Sequence, residues 1–197
     1  MQKSSKTPKP VSKEVWKEFD KICGHQTLFA SNTSSISITA IAAATDRPDR
    51  FVGMHFFNPA VLMRLVEIIR GQDTSDEAFK AVCDLTRAIG KEPVEVKESP
   101  GFVLNRILIP MINEAINVLA SNIASADDID KAMRPGANHP MGPLHLADMI
   151  GLDVCLSIME TIHEETGSSK YAPAPLLRKM VRSGRLGKKT GHGFFEY

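Results

Sequence analysis

Two titratable side chains stand in this sequence where apolar ones are the rule. His55 falls inside FVGMHFF at 51–57, a run that reads as a buried strand closed by Asn58 and Pro59. Glu67 interrupts LVEII at 65–69, and the two-residue period of a strand puts it on one face with Leu65 and Ile69. A carboxylate in such a place is costly unless a cation or a hydrogen-bond donor meets it. The obvious partner is His55 on the neighbouring strand. A carboxylate behind a histidine fixes the tautomer of the ring and stabilises the imidazolium, which equips the imidazole as a general base. Taken alone, each residue also fits a structural role, a satisfied strand histidine or an edge charge, so it is the pairing that points to chemistry.

The elements that must hold this pair are legible on either side of it. Val15, Trp16, Phe19 and Ile22 mark a short amphipathic helix ending near Gly24, and residues 27–30 predict a strand. Ser34 or Ser35 is then expected to cap a helix carrying Ile36, Ile38, Ile41 and Ala44. Strands are expected at 51–57 and 64–69, a helix at 75–89 stopped by Gly90, and a last strand at 93–97. Alternation of this kind indicates a mostly parallel α/β sheet. The pattern changes at Ser99, Pro100 and Gly101. Beyond them Phe102, Asn105, Ile109, Ile112 and Ile116 trace one side of a long helix, with further helices at 126–133, 143–162 and 173–184 and no strand before Phe194 and Phe195. The expected fold is thus α/β followed by all-α: a disordered tail at 1–10, an α/β domain at 11–98 and a helical domain at 99–197.

Composition closes off several functions. Lys and Arg number 24 against 23 Asp and Glu, a net charge of +1, which leaves no footprint for nucleic acid. Cys23, Cys83 and Cys155 are widely spaced and form no C-x-x-C pair, which suits a reducing cytoplasm and provides no disulfide or zinc framework. The opening MQKSSKTPKPVSK has no apolar core of a secretory signal, and no run approaches the ~18 apolar residues of a membrane span. His139 and His145 lie in the turn-rich NHPMGPLH, where no Cys or carboxylate cluster completes a site, so no metal is expected.

Four segments, ASNTSSISIT at 30–39, GMHFFNPAVLMRLVEIIRG at 53–71, PGFVLNRILIPMINEA at 100–115 and DIDKAMRPGANHPMGPLHLADMIGLD at 128–153, resemble the 3-hydroxyacyl-CoA dehydrogenases, most closely the bacterial 3-hydroxybutyryl-CoA dehydrogenases. The tail GRLGKKTGHGFFEY at 184–197 continues the likeness, which runs from about Val11 to Tyr197. The resemblance implies a partial Rossmann-like, doubly wound sheet and a C-terminal helical domain for substrate and dimerisation. It implies hydride transfer between the C3 alcohol of an acyl-CoA and NAD or NADP, in fatty-acid and butanoate metabolism, by a cytoplasmic homodimer without nucleic-acid or membrane partners. His55 matches the family's general base and Glu67 the carboxylate that orients it. Ser34 and Asn105 match the polar residues around the substrate carbonyl and hydroxyl, and Ser34, Asn58 and Lys189 match positions that touch the cofactor. Read on their own, Ser34 is also a helix cap, Asn105 an apolar-face amide that needs a partner, and Lys189 part of a solvated basic loop. His145 departs from the family pattern, in which close bacterial members are expected to carry glutamate.

No G-x-G-x-x-G occurs among the 13 glycines, although members of that family open with a strand, that turn and a helix for the dinucleotide pyrophosphate. GKKTGHG at 187–193 opens no helix, and Arg182 stands where a Walker motif needs its first glycine. The expectation is therefore a dehydrogenase chain without its first βαβ units, with the catalytic residues present. The alternative is a non-catalytic, truncated remnant that acts only as a folded or dimerising helical module.

Overall fold

Residues 57–64, which join strand β2 (Phe51–Phe56) to strand β3 (Leu65–Arg70), are too few for the crossover that parallel strands require, so β3 returns antiparallel to β2. The remaining pairings, β1 (Phe29–Ser31) with β2 and β3 with β4 (Glu92–Lys97), are parallel, giving a sheet ordered β1-β2-β3-β4. This computed structural model describes residues 13–34 and 36–197; the tail expected at 1–10 and the capping role expected of Ser35 lie outside them. The chain divides into two compact units between Val103 and Leu104.

In the first unit the period of two sorts side chains cleanly between the faces of the sheet. Phe51 and Ile69 point to one face, where Trp16 of α1 (Lys13–Ile22) and Ile38 and Ile41 of α2 (Ile38–Ala42) cover them. Val52, Met54, Val66 and Ile68 point to the other, against Ala78, Phe79 and Val82 of α3 (Asp76–Ala88). Helices on both faces make this a doubly wound, Rossmann-like sheet. Gly53 lies between Phe51 and His55 on the first face. A Cβ there would stand 2.8 Å from Ile69 Cβ and 3.0 Å from Ile38 Cδ1, so only glycine lets α2 settle so near the strand. Helix α3 begins as expected, with Ser75 accepting from Ala78 N, Asp76 and Glu77 in its first turn and Arg87 in its last.

Several boundaries differ from expectation for identifiable reasons. Strand β1 starts at Phe29 rather than residue 27, because Thr27 N is already committed to a turn with Gly24 O. Helix α2 is capped by Ser37, whose hydroxyl accepts from Ala40 N; Ser34 is not its cap, and the helix stops at Ala42. Thr33 Oγ1 takes Ile36 N instead.

The second unit is all helical: α4 (Leu104–Ala120), α5 (Ala126–Ala137), α6 (Pro143–Ile150), α7 (Leu152–Thr166) and α8 (Pro175–Arg182), closed around Ile112, Ile116, Leu144, Leu152, Met159 and Leu177. The single helix expected at 143–162 is two helices, broken where Gly151 adopts φ 102°. Helix α4 begins at Leu104 and not at Phe102, whose φ of 51° is left-handed. Phe194 and Phe195 form no strand. The tail makes only isolated bridges, and the backbone N–H groups of both phenylalanines donate to buried Asp148 at 3.0 Å. Tyr197 OH reaches the same carboxylate at 3.2 Å, and burial together with that charge pushes its phenol up to about 12.

Candidate active site

His55 and Glu67 are directly opposed in the β2–β3 ladder, which places their side chains on the same face within reach of each other. His55 Nδ1 lies 2.9 Å from Glu67 Oε2 and Nε2 lies 3.1 Å from Ser34 Oγ. A carboxylate only accepts, so Nδ1 carries the proton and donates, which leaves Nε2 to accept from the Ser34 hydroxyl. Histidine and glutamate are 3% and 1% exposed, whereas Ser34 is open to solvent. The line therefore runs from an enclosed carboxylate through an enclosed imidazole to a hydroxyl at the surface.

Two aromatic rings wall the imidazole, Phe57 edge-on with centroids 4.6 Å apart and Phe102 tilted at 5.4 Å. Glu67 Oε1 also accepts from Val103 N at 3.0 Å. Val103 follows a tight turn in which Phe102 N donates to Ser99 O at 2.9 Å, with Pro100 second and Gly101 third at φ 76°. That is a type II turn written in its usual residues. Phe102 then continues left-handed, a conformation that costs a non-glycine residue roughly 1–3 kcal/mol and persists only where its surroundings enforce it.

Ser34 follows β1 and His55 sits near the end of β2, so the two meet at the carboxyl ends of a parallel strand pair, where open α/β sheets receive ligands. The segment that carries Ser34 is held on either side, by Asn32 before it and by Thr39 of α2 after it. Asn32 Oδ1 accepts from Phe56 N at 2.9 Å, Glu98 accepts from Thr39 N at 3.2 Å and from the Thr39 hydroxyl, and Thr39 Oγ1 accepts from Gln72 N at 2.9 Å.

The structure brings Ser34, His55 and Glu67 together in the first unit. Asn58 is exposed beside them in sequence, preceding a cis bond to Pro59. Asn105 belongs to the second unit, in the first turn of α4 and 9% exposed. Lys189 lies there too, in the 3₁₀ turn Lys188–Thr190, half-exposed and paired with Asp153 of α7. His145 Nδ1 donates to Asp130 at 2.6 Å while its ring stacks on Phe195. Asp130 also accepts from Leu144 N and His145 N, so the pair fastens the start of α6. Reading the sequence missed Phe102 and Val103 as neighbours of the buried pair. The only available signal was the S-P-G-F turn, which marks a change of direction and not what the turn presents.

A nicotinamide dinucleotide needs both a crevice at the strand ends and a cradle for its pyrophosphate. The described residues offer the first at β1 and β2. They do not build the second: the helix that follows β1 has five residues, and no glycine-rich turn opens it.

A family profile described as the 3-hydroxyacyl-CoA dehydrogenase NAD binding domain matches residues 9–99, and one described as the C-terminal domain of that family matches 101–197. A 3-hydroxybutyryl-CoA dehydrogenase of Clostridioides difficile is 56% identical over 95% of this chain and 66% of its own length. One of Bradyrhizobium diazoefficiens is 51% identical over 95% and 64%. The crystal structure of (S)-3-hydroxybutyryl-CoA dehydrogenase from Ralstonia eutropha superposes with a TM-score of 0.91 at 56% identity, covering 93% of this chain and 65% of that one. The chain thus spans about two thirds of the length of the relatives it matches.

Proposed function

The chain belongs to the 3-hydroxyacyl-CoA dehydrogenase family, and on that premise we propose that it carries the proton-transfer centre for interconverting 3-hydroxybutyryl-CoA and acetoacetyl-CoA, with NAD(H) as hydride partner. The observation that carries this reading is the enclosed carboxylate–imidazole pair whose outer nitrogen faces a surface hydroxyl. A remnant kept only for folding has no need of such a pair.

In the oxidising direction the C3 hydroxyl must lose its proton as hydride leaves carbon. His55 Nε2 takes that proton, and the resulting imidazolium is held by Glu67 through Nδ1. The Ser34 hydroxyl, the resting partner of Nε2, then donates to the substrate oxygen in its place. The Phe57 and Phe102 rings keep water from the inner side of the imidazole, which strengthens its bond to the carboxylate. Asn105 is assigned the thioester carbonyl, since a neutral donor holds that oxygen without disturbing the histidine. Asn58 and Lys189 are assigned contacts to the dinucleotide. When bound, the nicotinamide supplies the hydride acceptor. We further propose a homodimer working in a reducing, cytoplasmic setting, consistent with three free cysteines, two of them buried.

The test is NADH-dependent reduction of acetoacetyl-CoA by the chain joined to a glycine-rich βαβ segment. Replacing His55 by Gln in that protein is expected to lower kcat by on the order of 10²–10⁴, the usual share of a general base. Unchanged turnover in His55→Gln rejects the assignment.

A further inference from the structure

Glu67 comes from the middle of β3 and presents one oxygen to His55 only if its carboxylate is kept from turning about its own axis. The Val103 N–H, 3.0 Å from Oε1, supplies such an anchor and leaves Oε2 aimed at Nδ1. That N–H points inward because the backbone turns left-handed twice in succession, at Gly101 with φ 76° and at Phe102 with φ 51°. Glycine takes up the first of these at little cost, but a phenylalanine in the second is held against its preference. What holds it is visible. Phe102 is 5% exposed, sits in the same apolar cluster as Phe29, Phe51 and Trp16, and lays its ring 5.4 Å from that of His55. Non-glycine residues in this region gather where the strain serves the site.

We propose that Phe102 is a positioning residue for the base: its left-handed backbone delivers the Val103 amide to Glu67 and thereby orients the carboxylate behind His55. The proposal rests on the reading of His55 as the base. It assigns to the S-P-G-F turn a role beyond ending the sheet, because the turn and the ring act together on the inner end of the His55–Glu67 line. The backbone contribution is separable from the ring. Glycine at 102 removes the ring and keeps the left-handed conformation accessible, whereas alanine removes the ring and disfavours the conformation.

The experiment is nitrogen-15 NMR on the 197-residue chain and on its Phe102→Gly and Phe102→Ala variants, reading the His55 tautomer and the Val103 amide. Phe102→Gly is expected to keep the Nδ1-protonated tautomer and the downfield Val103 amide of the parent. Phe102→Ala is expected to mix the two tautomers and to accelerate exchange of the Val103 amide by about tenfold or more. Retention of both signals in Phe102→Ala, or their loss in Phe102→Gly, overturns the proposal. If Phe102→Ala fails to fold, Phe102→Gly decides alone: parental signals support the backbone role and altered ones overturn it. Should the NMR result come out as expected while His55→Gln retains turnover in the joined enzyme, the base reading falls and the geometry stands as a structural device.

Discussion

Replacing Glu67 by glutamine keeps the shape of the side chain and removes one of its two acceptor oxygens. Among the donors that face the carboxylate are His55 Nδ1–H at Oε2 and Val103 N–H at Oε1. A carboxamide offers one oxygen and one NH₂, so either orientation turns a donor against a donor at a site 1% exposed. If the NH₂ faces Val103, the backbone N–H loses this acceptor and the buried NH₂ meets a donor, at a cost of roughly 1–3 kcal/mol. If it faces His55, Nδ1 must become the acceptor and the proton moves to Nε2, which is the wrong tautomer for a base. The first orientation is expected to destabilise by about 2 kcal/mol, or about 4–8 °C in Tm for a chain of this size, whereas the second keeps every donor paired and shows instead as a tautomer change at His55. Trp16 is the only tryptophan and is packed against Phe29 and Phe51 in the unit that holds the pair, so its fluorescence during urea unfolding reports that unit alone. A midpoint in Glu67→Gln that coincides with the parent at equal slope, together with a parental His55 tautomer by nitrogen-15 NMR, refutes this account of Glu67.

Other outcomes follow from the same structure. Titration of the 197-residue chain with NADH is expected to give weak or no binding, since β1 is an open sheet edge without a charged side chain and α2 builds no phosphate cradle; a dissociation constant in the low micromolar range contradicts this. Alkylation at pH 8 read by mass spectrometry should modify partly exposed Cys23 first and spare Cys155, which is fully buried and whose thiol burial pushes up to about 12; early modification of Cys155 means that α7 opens in the native state. Sedimentation of the whole chain at tens of micromolar should show a dimer, because the helical unit exposes Ile107, Ile123 and Met149; a single monomeric boundary counts against it.

Where the sequence could be read and where it could not divides along a physical line. The period of two exposed β2 and β3, and with them the His55–Glu67 pair, because alternation is a local property of the chain. The cap of α2 was beyond such reasoning: in NTSSIS at 32–37 several hydroxyl residues are equally good caps by type. The choice of Ser37 goes with Thr39 being seized by Glu98, 59 residues away. The break at Gly151 has the same origin. The apolar period runs on through 143–162, but Leu152 N is drawn to Leu186 O of the tail, and Gly151 turns to allow it. Phe102 is the extreme case, since local preference argues against its left-handed backbone, and its buried ring and the Glu67–Val103 bond help to hold it there. These exceptions to local preference are decided by contacts distant in sequence. In the first unit they lie at Ser34's loop and behind Glu67, so the part of the fold least legible in the sequence is the part that aims the His55–Glu67 pair.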